Sequence, residues 1–212
     1  MLDQIPFEKI LKETLSEGGE FADLFFEQTR SIVIICEEDR IEKVISGQDA
    51  GVGLRILFGG RTFYGFTNQT SDDGLFNLAR RMNLAVKEDE DAKVIRLTDR
   101  HQPVPSSPLG RTPSFPIQKD PKAVSTAEKV SVVKRGNEVA RKLDRHVRQV
   151  KVLYRDFSQS LCIVNSEGLS VEGERVGTVF SIQVVSAEGE VIQTGYEPVG
   201  GTMGFELFDL HP

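Results

Sequence analysis

The sequence predicts an α+β fold in which antiparallel sheets are combined with about three helices. Three segments carry the three- and four-residue apolar spacing of helices. The other apolar segments are short and are separated by glycine-containing turns, which is typical of antiparallel strands. The order is helix, strands and helix, and then helix and strands, without the regular alternation of a doubly wound fold. We therefore expect a helix and an antiparallel meander in each half of the chain.

Composition and charge limit the classes of protein that the chain can represent. Its 212 residues, 39% hydrophobic and 27% charged, suffice for a substantial core. The net charge of -6 argues against nucleic-acid binding, which needs clustered basic residues. No apolar run approaches the roughly 18 residues of a membrane span, and the first residues lack the features of a signal peptide. We therefore expect a cytoplasmic protein without nucleic-acid or membrane partners.

The first helix is predicted from Pro6 to Glu17, because proline suits a first helical turn and the glycines that follow suit a helix end. Two strands are predicted next, Phe21 to Gln28 and Ser31 to Glu37. Residues 37–40, three acids and an arginine, are expected to form a solvated turn. The three acids could also bind a cation, although such a site needs converging ligands.

A three-stranded arrangement is predicted between Ile41 and Thr67. Residues 47–51, Gly-Gln-Asp-Ala-Gly, are assigned to a turn. From Val52 to Phe58 every second residue is a large hydrophobic one, which places these side chains on one face of a sheet. Gly59-Gly60 predicts a two-residue hairpin, because both turn positions need a positive φ. The return strand is Arg61 to Thr67.

A second helix is expected to begin near Ser71, and the side chain of either Ser71 or Asp72 can accept an N–H group of its first turn. Between Leu97 and Lys122 six prolines exclude regular structure. Long segments of this kind are uncommon inside one compact domain. We therefore expect an N-terminal unit of residues 1–96, a linker of residues 97–122 and a second unit of residues 123–212.

The second unit is predicted to open with a helix from Ser125 to about Asp144. Ser125-Thr126-Ala127-Glu128 has the sequence of a capping box, in which Ser125 and Glu128 each accept the other's backbone N–H. Antiparallel strands are predicted after it, at residues 150–154, 160–164, 169–175, 178–186 and 190–194, with turns at 165–168 and 187–189.

The residues that commonly carry catalysis form no recognisable motif in this chain. Cys36 and Cys162 lie in apolar strand patterns and are expected to be buried free thiols. His101, His146 and His211 are scattered, and none belongs to a His-Glu-x-x-His pair. The sequence therefore assigns neither a catalytic nor a metal-ligating residue.

Six short segments carry a family resemblance, in this order along the chain: Ala22–Glu27, Arg30-Ser31, Gly51–Arg55, Tyr64–Asn68, Gly195–Glu197 and Gly200–Glu206. Together they resemble the N-terminal part of the TldD/PmbA family, and within it the TldD branch. Members of that family are zinc-dependent peptidases that have also been called modulators of DNA gyrase. The resemblance covers nearly all of this chain but only about the first half of a family member.

The resemblance implies a zinc motif that this chain does not carry. Such a motif has two histidines flanking a glutamate on one helix, with a cysteine ligand nearer the C-terminus, and would follow the segment that resembles Gly200–Glu206. Zinc there would lower the pKa of a bound water toward about 7. Cys36 and Cys162 are not at the corresponding position. We expect zinc in the full-length family member, and no zinc and no activity for this chain alone.

The function implied by the resemblance is a non-catalytic one within a larger enzyme. We expect this chain to form part of the substrate cleft and subunit interface of a TldD-like zinc metallopeptidase that degrades or matures small peptides. Its partner would be a PmbA/TldE-like subunit or a second copy. The alternative is a truncated non-catalytic paralogue that binds a peptide or a partner.

Four residues are candidates for contact with a peptide in that cleft. Arg55 and Tyr64 lie on the predicted hairpin, although strand residues of these types more often line a solvent face or a rim. Gly200 and Gly201 are predicted to form a loop in which small residues allow the close approach of a peptide backbone. An ordinary flexible exit from the last strand is the alternative for the two glycines.

Overall fold

The computed structural model describes residues 5–87 and 117–210. Its strands form one six-stranded sheet in the order β3-β2-β1-β4-β5-β6. The helices and strands of the described residues are α1 (Phe7–Thr14), β1 (Phe21–Glu37), β2 (Arg40–Phe58), β3 (Arg61–Thr67), α2 (Asp72–Lys87), a 3₁₀ turn (Pro121–Ala123), α3 (Thr126–Lys142), β4 (Val147–Asn165), β5 (Ser170–Glu188), β6 (Val191–Gly201) and α4 (Leu207–Leu210). The predicted α+β class is confirmed.

The strands are longer and fewer than the sequence pattern predicted. β1 joins the two strands predicted on either side of Arg30, and β4 and β5 each join two predicted strands. The turn predicted at residues 47–51 is wrong, because β2 runs through it as extended backbone. Residues 42–49 of β2 are exposed, so they lack the apolar alternation that would have identified them as a strand.

The two tight turns of the first half follow the prediction. Gly59 and Gly60 have φ values of 58° and 75°, as a two-residue hairpin requires. β2 and β3 then pair in antiparallel register, from Val52 opposite Thr67 to Phe58 opposite Arg61. Glu38 and Asp39 form the turn between β1 and β2 with φ values of 51° and 62°.

Two predicted helix caps are present, and α1 is shorter than predicted. The Oγ of Ser71 accepts the backbone N–H of Gly74 at 3.3 Å, ahead of α2. The Oγ of Ser125 accepts the N–H of Glu128 at 3.2 Å, ahead of α3. Helix α1 ends at Thr14, before the glycines that were expected to cap it.

Among the described residues, no helix has both the length and the apolar character needed to cross a membrane.

The described residues fall into two compact units that interleave along the chain. The first comprises residues 5–28, 49–87 and 160–174, and the second comprises residues 29–48, 117–159 and 175–210. β1, β2, β4 and β5 therefore each contribute residues to both units. Most of the predicted linker lies outside the described residues, and the division at residues 97–122 stays a prediction.

Each unit has its own hydrophobic core. In the first, α1 and α2 place Ile10 and Leu75 against strand residues such as Leu54 and Ile56. In the second, Val133 and Ala140 of α3 lie in one cluster with Val150 and Val152 of β4. Cys162 belongs to the first core and Cys36 to the second, and both are free thiols, as predicted.

Candidate functional site

Arg55 and Tyr64 face each other across the β2–β3 hairpin of the first unit. The guanidinium of Arg55 forms an ion pair with Asp23, in which its Nε donates to Oδ1 at 3.1 Å. This hydrogen bond raises the pKa of Arg55. Tyr64 is 67% exposed, and its ring lies over Gly53, where an added Cβ would come within 2.6 Å of the tyrosine hydroxyl. Arg55 is thus already paired, whereas Tyr64 faces solvent.

Gly200 and Gly201 are the last two residues of β6 in the second unit. They pair with Val179 and Thr178 of β5, so the loop expected at this position is not observed. A Cβ on Gly200 would collide with the carbonyl oxygen of Thr178, so this position requires glycine for a structural reason. The part that Arg55, Tyr64 and the two glycines play in peptide binding stays a prediction.

Glu206, the last residue of the segment that carried the family resemblance, holds two distant parts of the chain together. Its carboxylate accepts the backbone N–H of Gly204 at 2.8 Å and that of Lys119 at 2.9 Å. Phe205 N–H returns a hydrogen bond to the carbonyl of Lys119 at 2.8 Å. Burial raises the pKa of Glu206, but the backbone N–H donors outweigh it and hold the pKa below its ordinary value. We refer to these contacts of Lys119, Gly204 and Glu206 as the Glu206 clasp.

A buried polar cluster lies between α3 and β4. The Nζ of Lys129 donates to Oδ2 of Asp156 at 2.6 Å, and the Tyr154 hydroxyl donates to the same oxygen at 2.5 Å. The side chains of Lys129 and Asp156 are only 6% and 8% exposed. Burial, and then the hydrogen bond to Asp156, raise the pKa of Tyr154. The carboxylate therefore receives one charged and one neutral donor.

This cluster was not predicted from the sequence, although a signal for it was present. The alternation of Val150, Val152 and Tyr154 continues along β4 to Asp156 and Ser158, which are also buried. Polar residues that continue an inward-facing pattern are unusual, because a buried polar group needs a partner. Lys129, on the neighbouring helix, supplies that partner for Asp156.

An open cavity of about 490 Å³ adjoins the buried cluster within the second unit. Residues of β1, β2, the 3₁₀ turn, α3 and β4 line it, and they include Arg30, Gln48, Lys122, Lys129, Asp156 and Ser158. Three of these six side chains are basic and one is acidic.

The described residues do not fit a zinc ion. No group of three or more His, Cys, Asp or Glu residues within residues 5–87 and 117–210 could hold a metal. His146 Nδ1 lies 2.7 Å from Asp144 Oδ1 in an ordinary surface pair. His101 and His211 lie outside the described residues. We derive no catalytic step through zinc from this chain.

Two domains of one protein family match the chain in consecutive order. Residues 22–87 match domain 1 of the PmbA/TldA metallopeptidases, and residues 119–211 match their central domain. The chain belongs to the PmbA/TldD family. The resemblance noted in the sequence is thereby confirmed, and the two matched regions include every segment on which it rested.

Individual PmbA/TldD relatives match most of this chain but less than half of their own length. A metalloprotease of Methanothermobacter thermautotrophicus is 27% identical over 92% of this chain and 40% of its own length. A TldD homologue, a metalloprotease of Buchnera aphidicola, is 22% identical over 93% of this chain and 39% of its own length. The crystal structure of TldE from Thermococcus kodakarensis shares the fold, with a TM-score of 0.68 and 14% identity over 92% of this chain and 43% of that one.

Proposed function

We propose that this chain is the substrate-cleft and interface portion of a TldD-like, zinc-dependent metallopeptidase that degrades or matures small peptides in the cytoplasm. The observation that carries the proposal is the pair of family matches, domain 1 followed by the central domain. The curated relatives with which it aligns are named metalloproteases, and this chain spans about 40% of their length. In this proposal the zinc ligands and the catalytic glutamate belong to a part of the enzyme that the chain does not supply.

Uncovered strand edges support a role in holding an extended peptide. β3 and β6 are the two outer strands of the sheet. β3 pairs with β2 only from Val52 to Phe58, so residues 40–51 of β2 have no strand on that side within the described residues. An uncovered edge offers backbone N–H and C=O groups to a peptide of almost any sequence. This chemistry suits an enzyme that acts on varied unfolded peptides.

Exposed hydrophobic side chains on β6 support the interface part of the proposal. Val191, Ile192 and Tyr196 are each more than 60% exposed on this outer strand. Ile192 and Tyr196 lie on one face of the strand and Val191 on the other. Apolar residues exposed on an outer strand are available for contact with another protein. The proposed partner is a TldE-like subunit or a second copy of this chain.

The same β6 residues also support a second candidate function. A non-catalytic paralogue that binds a peptide or a partner would need an apolar surface but no metal domain. The intact mass of the protein isolated from its native cells distinguishes the two functions. A mass well above 23.6 kDa supports the metallopeptidase, and a mass of 23.6 kDa supports the binding protein.

The first test of the proposal is zinc content and peptide handling by the 212-residue chain. After the chain has been loaded with zinc and dialysed, we expect it to retain less than stoichiometric metal. We also expect it not to cleave an unstructured peptide. We also expect the chain to bind that peptide, and to bind it more weakly when alternate backbone nitrogens are methylated, because methylation removes the donors for strand pairing. Stoichiometric zinc together with cleavage would overturn the proposal that the zinc ligands and the catalytic glutamate lie in another part of the enzyme. Equal binding of the methylated peptide would contradict the edge-pairing mode.

A further inference from the structure

β6 is an outer strand of the sheet, and its first part lacks the features that usually protect such an edge. Residues 191–197 are all exposed, and their one charged side chain is that of Glu197. Natural outer strands are commonly kept from pairing with another chain by lysines, prolines or bulges. The register of β6 with β5 has no bulge, and the proline, Pro198, comes only after this stretch. Residues 191–197 are therefore open to pairing with a further strand.

Alternate residues of this stretch direct their backbone groups away from β5. β5 and β6 are joined by a two-residue turn, and Glu188 and Val191, which flank the turn, are register partners. Partners that flank such a turn exchange backbone hydrogen bonds, and every second pair along an antiparallel ladder does the same. The residues between these positions have outward-facing N–H and C=O groups: Ile192, Thr194 and Tyr196.

Pro198 supports this assignment independently of the turn. Proline has no backbone N–H, so in an edge strand it takes positions whose N–H would face away from the neighbouring strand. Pro198, whose register partner is Ser181, lies an even number of residues from Thr194. It therefore faces outward with the same set of residues. Because it offers no donor, it also ends the stretch to which another strand can pair.

The open stretch is complementary to a second copy of itself. When two antiparallel strands are related by a two-fold axis, residues at equal distances from the axis face each other. The pairing that overlaps residues 191–197 completely places the axis at Thr194, their midpoint. Ile192 then faces Tyr196 of the other copy, and an aromatic residue opposite a β-branched one is a favourable cross-strand pair. Both side chains are more than 60% exposed in the single chain.

The distribution of charge fits the same register. Glu197 falls opposite Val191 of the other copy, not opposite its own counterpart. Like charges that face each other across two strands are destabilising. The register that gives the most complete pairing is thus also one in which no like charges are opposed within residues 191–197.

We propose that two copies of this chain associate through β6, in antiparallel register about Thr194, so that their sheets become continuous. The proposal rests on the interface part of the proposed function and deepens it, because it identifies the partner as a second copy and gives the register of the contact. It leaves the edge at residues 40–51 of β2 free for a peptide.

The test is sedimentation equilibrium of the 212-residue chain over a range of concentrations, with charges introduced at the axis. We expect the mass of the parent chain to approach twice 23.6 kDa as its concentration rises. Thr194→Lys and Thr194→Glu should each weaken dimerisation by about fivefold or more, because each brings two like charges face to face. An equal mixture of the two variants should recover the dimer, since a lysine then faces a glutamate.

Matched controls separate this pairing from an effect of net charge. Leu84→Lys and Leu84→Glu make the same charge changes at an exposed residue of α2, outside β6, and should leave dimerisation unchanged. Circular dichroism of each variant establishes that it is folded. Equal weakening by the Leu84 and Thr194 variants would overturn the proposed register.

The outcomes also distinguish this contact from the proposed function. A parent chain that stays monomeric at every concentration overturns self-association and leaves peptide binding to its own test. A dimer that survives both Thr194 variants, or a mixture that does not recover, overturns the pairing about Thr194. A monomeric parent chain that binds a TldE-like subunit, and loses that binding in Thr194→Lys, would assign the edge to that subunit and overturn self-association.

Discussion

At the scale of single residues, the Lys129–Asp156 pair makes two buried charges depend on each other. Neither side chain is accessible enough for water to replace the missing partner. The sequence did not predict this pair, because a lysine on a helix and an aspartate in a strand are most simply read as surface residues. Only the fold brings residue 129 beside residue 156.

We expect Asp156→Asn to destabilise the protein by about 3–5 kcal/mol, because it leaves the ammonium of Lys129 buried without a counter-charge. The double variant Lys129→Met/Asp156→Asn should recover a large part of this loss, since it removes the unpaired charge. The free energy of unfolding from denaturant titrations measures both. Tyr154→Phe is the control for the hydroxyl alone and should cost about 1 kcal/mol. A parent-like Asp156→Asn would show that the ion pair contributes nothing to stability.

The Glu206 clasp makes stability depend on pH in a definite direction. The folded-state pKa of Glu206 lies below its ordinary value of 4.5. The clasp therefore stabilises the folded state fully above pH 4.5, and this contribution is lost as the pH falls through the folded-state pKa. At pH 7 we expect Glu206→Gln to cost about 2 kcal/mol, because charged acceptors hold backbone N–H groups more strongly than neutral ones.

The difference in unfolding free energy between Glu206→Gln and the parent protein should shrink toward zero in acid. Denaturant titrations at a series of pH values measure this difference. Glu190→Gln, a change at an exposed turn residue, controls for the loss of one negative charge. A difference that stays constant with pH would show that the carboxylate charge is not what holds the clasp.

At the scale of helices and strands, the sequence predicted the elements that carry strong local signals. The Gly59-Gly60 hairpin, the Ser71 and Ser125 caps and the buried face of β2 were all predicted from residues close together in the chain. The continuous course of β2 through residues 47–51 was not. Its polar, glycine-containing sequence is typical of a turn, and only pairing with a neighbouring strand keeps it extended.

These two glycine-containing stretches should respond differently to the same substitution. Gly59→Val should destabilise the protein by about 1–2 kcal/mol, because a branched residue is strained at a φ of 58°. Gly59→Asn should cost much less, since asparagine tolerates this conformation. Gly47→Val is the matched control and should cost nothing measurable, because a Cβ there meets no atom within 4 Å. Thermal unfolding of the three variants measures the contrast, and equal losses at Gly47 and Gly59 would contradict it.

At the scale of the whole molecule, the family could be identified from the sequence, but the cavity beside the Lys129–Asp156 pair could not. The identity rests on short segments that the sequence shows directly, from Ala22 to Glu206. The cavity is lined by residues as far apart in the chain as Arg30 and Ser158, and neither has a distinctive local pattern. A single sequence gives little information about which residues distant in the chain lie close together in the fold.

The interleaving of the two units has a consequence for how this part of the family can change during evolution. The family matches divide the chain once, between residues 87 and 119. The compact units divide it inside β1, β2, β4 and β5. Removing either matched region would therefore take strands from both units at once. The two regions are therefore expected to be inherited, duplicated or lost together, because neither of them contains a complete compact unit.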